Sequence, residues 1–341
     1  MPAERHGTRV APAVLHNGGD MDRLVIFAGD TIGVPDRLVR ATLAAVDARA
    51  DVTIVGICLP APTSRWRRWR KRAFLNLVAR VKACCDPAQR REPYPPVVDL
   101  DCEAAVRGFP ILVPPGGDAN DPAFVARVRD ELRPTLALSV FWSRRLGDEF
   151  LGLFEVAANY HNGRLPGYRG LWASAWSVVD GEATSGYAFH RMTGGLDEGP
   201  LLVTGEVPVD AGGHVADLDA AKAAAAARVL PDVLAAMVAR APGVAQTGIA
   251  RYRSRADAEA MTTVESPSSL TFDEIRCRLR AFSCLRMRVG GELLPVTKLR
   301  VQTGVRGRRA FRTADGVDVE VARVRYLPPA AFRLFRYWLR R

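Results

Sequence analysis

Residues that build metal clusters and disulfide frameworks are scarce in this chain. It has six cysteines and five histidines in 341 residues; Cys84 and Cys85 are adjacent, and no CxxC pair occurs. That spacing excludes the common zinc motifs and a cysteine-stapled scaffold, so the chain reads as reduced, cytoplasmic and without a structural metal. No apolar run reaches the length of a membrane span, and no uninterrupted apolar core follows a basic start, so a secretory leader is not indicated. There is no internal repeat. Gly29-x-x-x-Gly33 lacks the dinucleotide-binding spacing, which leaves nicotinamide cofactors unsupported.

Apolar residues and positive charge are plentiful. Hydrophobic residues make up 48% of the chain, enough for one large domain and a small one. The net charge of +11 is uneven: ten basic residues against only Asp86 lie between Arg65 and Arg91, where Trp66 and Trp69 interleave with arginines. A second basic, aromatic cluster runs from Phe332 to Arg341. Three readings of the first cluster stay open: a solvated helix, a phosphate-rich nucleic acid contact, or a helix lying at the inner face of an anionic membrane with Phe74, Leu75, Leu77, Val78 and Val81 as its apolar side.

The pattern along the chain is strand, helix, strand. Leu24–Ala28 and Val52–Leu59 read as buried strands around a helix with Leu38, Val39, Leu43 and Val46 on one face. Strand readings at Thr135–Phe141 and Val156–Tyr160 continue an open, mostly parallel α/β sheet. Asp217–Ala241 reads as one long helix kinked at Pro231, and Thr247–Pro267 as a connector with little core. Thr271-x-x-Glu274 is a capping box for a helix through Phe282, followed by short strands. The expected division is a tail over 1–20, a catalytic domain over 21–245 with a basic insertion at 60–96, a linker over 246–268, a small β-rich partial barrel over 269–330, and a basic aromatic tail over 331–341.

Asn159 and His161 are two residues apart at a predicted strand end, which puts both side chains on one face. Asp197 follows on a loop beside Gly194, Gly195 and Gly199. An amide that donates to an oxyanion, an imidazole, and a carboxylate that accepts a proton suit acyl transfer to an amine without a Ser or Cys nucleophile. Asn-x-His alone is weak evidence, and His190, in an alternating strand, reads as a packing residue.

Taken with its flanks, Asn159-x-His161-x-x-x-Leu165-Pro166-x-Tyr168-Arg169-Gly170, then Gly186 and Leu196-Asp197-x-Gly199, resembles the signature of the 10-formyltetrahydrofolate-dependent formyltransferases, roughly over Leu24 to Ala250. The resemblance implies a Rossmann-like sheet with a small β-rich C-terminal domain, 10-formyltetrahydrofolate as co-substrate, and Asn159, His161 and Asp197 as the catalytic triad. It implies pterin contacts from Phe141–Arg145 and His190–Asp197, hence Phe141, Trp142, Gly195 and Leu196, with Leu165 and Pro166. Arg164, Tyr168 and Arg169 are expected on the substrate side. The family usually has Ser-Leu-Leu-Pro where this chain has Gly163-Arg164-Leu165-Pro166.

The expected acceptor is a small amine, a nucleotide-linked amino sugar before an initiator tRNA. A hydrolase of the formyl donor and a non-catalytic folate- or nucleotide-binding protein are the alternatives. A homodimer is a further expectation.

Overall fold

The computed structural model describes residues 9–10, 21–29, 34–60, 69, 73, 98–142, 144–305 and 307–324. The first half contains β1 (Arg9–Val10), β2 (Asp22–Ala28), α1 (Val34–Asp47), β3 (Val52–Cys58), α2 (Leu100–Arg107), β4 (Ile111–Leu112), α3 (Pro122–Arg127), β5 (Leu136–Val140), α4 (Asp148–Leu151) and β6 (Val156–His161). Then come β7 (Arg169–Gly170), α5 (Ala173–Val179), β8 (Thr184–Arg191), β9 (Leu201–Pro208), α6 (Val215–Arg228), α7 (Leu230–Val238), β10 (Tyr252–Arg253), α8 (Arg255–Thr262) and β11 (Thr263–Val264). The last elements are α9 (Phe272–Phe282), β12 (Leu285–Val289), β13 (Glu292–Val301), β14 (Ala310–Arg312) and β15 (Asp318–Val324).

The main sheet has eight strands in the order β1-β9-β8-β6-β5-β2-β3-β4. Pairings from β6 to β4 are parallel, whereas β6 with β8, β8 with β9 and β9 with β1 are antiparallel. Strands covered on both faces read as continuous apolar runs, and β2 shows why. Leu24, Ile26 and Ala28 enter one core, with Leu38, Val39 and Leu43 of α1 and Leu230, Val233 and Leu234 of α7. Val25 and Phe27 enter the other, with Phe124, Val128 and Phe150. Phe27 meets Phe150 edge-on at 5.6 Å.

The helix expected over Asp217–Ala241 is instead two helices that break at Val229. Proline lacks an N–H and would clash with a carbonyl one turn back, so Pro231 sits in the first turn of α7 rather than inside a continuous helix. The expected connector over 246–268 also holds structure: β10 pairs with β7, α8 has a Ser254–Asp257 capping box, and β11 joins the C-terminal sheet with Val264 in its core. Its polar surface hides the helix, because Ala258 is the only fully buried residue of α8.

The C-terminal sheet runs β11-β12-β13-β15-β14. In β12, Leu285, Met287 and Val289 are buried while Arg286 and Arg288 are exposed, so one face packs on Ile275 and Leu279 of α9. That helix also lies on α5, with Phe282 edge-on to Trp176 at 5.6 Å, and Arg280 Nε donates to Gly213 O at 2.9 Å.

Of the tail expected over 1–20, Arg9 and Val10 pair with Thr204 and Val203. The basic segment lies outside the described residues apart from Trp69 and Ala73, as does the Phe332–Arg341 cluster. Among the described residues no helix is long and apolar enough to cross a membrane.

Candidate active site

The site forms where parallel and antiparallel strands meet, at the carboxyl end of β6. Asn159 pairs in register with His190 of β8, two residues that are distant in sequence. Asn159 Nδ2 lies 3.2 Å from His190 Nε2, and His190 Nδ1 lies 2.8 Å from Arg191 O. A carbonyl only accepts, so His190 carries a proton on Nδ1, and its Nε2 faces Asn159 Nδ2 and, at 3.6 Å, Asp197 Oδ1. That contact leaves the Asn159 amide an N–H to donate elsewhere.

His161 is buried, and its Nε2 lies 2.5 Å from Tyr168 O. By the same reasoning the proton is on Nε2, and Nδ1 presents a lone pair to Asp197 Oδ2 at 3.5 Å. Burial pulls the imidazole below its ordinary pKa, against the opposing pull of Asp197 and of the Tyr168 carbonyl. For Asp197, burial is the largest influence and raises the pKa, yet His190, His161 and the Gly170 N–H (2.9 Å) together outweigh it and leave the value at about 2. A carboxylate and a neutral imidazole therefore face each other as two proton acceptors.

Asn159 and Asp197 open into a narrow cleft with Trp142, Gly195 and Leu196 of the expected cofactor set. Its other walls include Ser139, Leu146, Leu151, His190 and Met192, a mixture of apolar and polar groups of the kind ligand clefts present. Beyond Gly194–Leu196 a wider depression of about 410 Å³ is lined by Arg145, Arg169, Glu198 and Tyr252.

Three expected cofactor residues do not line the cleft. Phe141, at φ 59°, turns its ring onto Tyr160. Leu165 is buried, and the Pro166 carbonyl accepts from Arg251 N at 3.1 Å, across a cis Leu165–Pro166 bond.

The residues expected on the substrate side have partners within the chain. Arg164, with its side chain 41% exposed, donates from Nη2 to Thr184 Oγ1 at 2.8 Å and pairs through Nε with Glu206 at 2.8 Å. Tyr168 is buried, donating its hydroxyl to Glu182 at 2.8 Å and lending its carbonyl to His161. Arg169 reaches the depression but is paired with Glu198 and Gln246.

Sequence reading took the His190 side chain for a packing residue, because only the β6–β8 register aims it at Asn159. It also missed Lys222, which is fully buried. Lys222 donates to Asn162 O and Ser174 Oγ, both at 3.0 Å, and Asn162 Nδ2 donates to Asp219 at 2.7 Å. This network braces the chain immediately after His161.

An open α/β sheet with an amide, an imidazole and a carboxylate at its strand ends has the groups that suit an acyl-transfer class of chemistry. The comparisons narrow that class. Residues 71–234 match the family described as formyl transferase. That match takes in β5, β6, β8 and the loop that carries Asp197.

The fold is similar to that of a sugar N-formyltransferase from Shewanella sp. FDAARGOS_354, at 17% identity and TM-score 0.55, over 90% of this chain and 99% of the other. It is also similar to a 4-N formyltransferase from Francisella tularensis, at 14% identity and TM-score 0.56, over 82% and 98%. A third similar structure is an N-formyltransferase from Helicobacter canadensis in complex with folinic acid and dTDP-3-aminofucose, at 15% identity and TM-score 0.57, over 88% and 99%.

Proposed function

We propose that this enzyme transfers a formyl group from 10-formyltetrahydrofolate to the primary amine of a nucleotide-linked amino sugar. The observation that carries the reading is that Asn159 and Asp197 line one cleft of mixed apolar and polar residues while His161 faces Asp197 from behind it at 3.5 Å. The Helicobacter relative, seen with a formyl-folate and a dTDP-linked amino sugar, supports both substrate classes.

The amine nitrogen attacks the formyl carbon, and the carbonyl electron pair moves onto oxygen, where the free Asn159 N–H stabilises it. The ammonium proton of the adduct passes to the acceptor pair formed by His161 Nδ1 and Asp197 Oδ2. As the bond to the folate nitrogen breaks, that nitrogen takes up the proton from the His161–Asp197 pair. The products are a formamide and tetrahydrofolate. His190 keeps the Asn159 amide turned toward the oxyanion.

The test follows tetrahydrofolate release with formyl donor alone and after adding nucleotide-linked amino sugars or charged initiator tRNA. Release only with an amino sugar supports the proposal. Release without any acceptor means hydrolysis, release only with tRNA moves the assignment to tRNA, and no release in any arm points to a binding protein.

From sequence, peripheral contact with anionic membrane through 65–91 and 332–341 is a further part of the proposal. It is tested by co-sedimentation with anionic and neutral liposomes at low salt. Pairing of two copies is tested by light scattering.

A further inference from the structure

We propose that Gln246 is the positioning residue that holds Asp197 in the site, so that the connector leading to the C-terminal domain completes the active centre. The proposal rests on the formyl-transfer reading above and adds to it a residue outside the triad.

Asp197 has a φ of 54°, a left-handed conformation that costs a non-glycine residue about 1–2 kcal/mol. It lies on a loop carrying Gly194, Gly195 and Gly199, so neighbouring backbone gives little resistance to relaxation. Something outside the loop must therefore hold it.

The Gln246 amide does so from 49 residues away. Its Nε2 donates to Asp197 O at 2.9 Å and to Gly199 O at 2.8 Å, using both of its hydrogens on the two ends of the turn. Arg169 Nη2 donates to Gln246 Oε1 at 3.1 Å, which fixes the amide orientation, because only the oxygen can accept. The same guanidinium pairs with Glu198 at 3.0 Å, and the next residue, Gly170, donates its N–H to Asp197 Oδ2 at 2.9 Å. Gln246 is delivered by the reciprocal backbone pair between Val244 and Leu201, 2.7 and 2.8 Å. Side chain and backbone of Asp197 are thus fixed from two directions. No hydrogen bond runs from Gln246 to Asn159 or His161, so its influence on them passes through Asp197.

The experiment compares the wild type, Gln246→Ala, Gln246→Glu and Asp197→Asn in full-length protein. Gln246→Glu keeps the size and the Arg169 partner but removes the donors. Transfer from 10-formyltetrahydrofolate to dTDP-linked amino sugars is read as kcat and KM, and the ring ¹⁵N signals of His161 are recorded in ligand-free protein. The expected result is a loss of kcat of roughly ten- to hundredfold in both Gln246 variants. KM for the acceptor should stay within about twofold, and the His161 signals should move toward those of Asp197→Asn. Unchanged kcat in Gln246→Glu, or unmoved His161 signals in the folded variants, would overturn the proposal. If the wild type transfers to no amino sugar, the functional reading fails, and the His161 signals alone then decide whether Gln246 positions Asp197.

Discussion

His161 turns Nδ1 toward Asp197 Oδ2 at 3.5 Å while its other nitrogen donates to Tyr168 O. A neutral imidazole has one N–H, and the Tyr168 carbonyl takes it. The gap to Asp197 therefore joins two acceptors, which in the proposed reaction receive the proton of the attacking amine. Asp197→Asn replaces one acceptor by an amide and is expected to lower kcat roughly 10²- to 10⁴-fold with the fold intact. Steady-state kinetics beside circular dichroism checks this.

The same pair sets an acid limit. Burial lowers the His161 pKa from 6.5, so below that value the unfolded chain binds a proton that the folded chain refuses, and stability falls with acidity from about pH 6.5 downward. Asp197 has the familiar carboxylate sign: its contribution is present above pH 3.8 and is lost as the pH falls through about 2. His161→Asn should flatten the dependence of Tm below about pH 6.5, measured by scanning calorimetry in matched buffers.

Lys222 predicts a slope on the alkaline side. Burial lowers its pKa from 10.5 to about 7, so between those values the unfolded chain holds a proton that the folded chain does not. Stability should climb with pH across that window, by at most about 1.4 kcal/mol per pH unit. Lys222→Met should remove the climb, as judged by urea unfolding at pH 7 and pH 10.

Gly163 stands where the family usually has serine, and here the space is closed. A Cβ at this position would lie 2.6 Å from Ala173 Cβ and 2.8 Å from both His161 Nε2 and Tyr168 O. Gly163→Ser is therefore expected to destabilise the protein by about 1–3 kcal/mol and to lower kcat by displacing His161. Gly163→Ser combined with Ala173→Gly should recover part of both losses.

Arg164 gives a negative expectation. Its guanidinium is taken up by Thr184 and Glu206, and Arg164→Gln should leave KM for both substrates within about twofold while costing at most about 1 kcal/mol of stability. A large rise in either KM would mean that Arg164 leaves these partners to meet a substrate.

Much of the fold was legible because local patterns and tertiary outcome agree. The apolar run of β2, the helix face of Leu38, Val39, Leu43 and Val46, and the Thr271–Glu274 capping box each recur in the structure. The division at Val229 was harder to read, since alanine-rich sequence continues smoothly across it and a single proline specifies the break. The pairing of β10 with β7 was hidden because two-residue strands carry no period.

Alone, the order of residues marked the β2–α1–β3 opening and the Thr271 capping box, because hydrophobic period and caps act over a few residues, and its resemblance to a known family marked the triad candidates. Tertiary structure decided what surrounds them. Sheet register set His190 against Asn159, Glu206 and Thr184 paired with Arg164, and a glutamine 49 residues away fastened the Asp197 turn. Those relationships join groups whose separation along the chain carries no local signal, so only the packed sheet brings them within hydrogen-bonding reach.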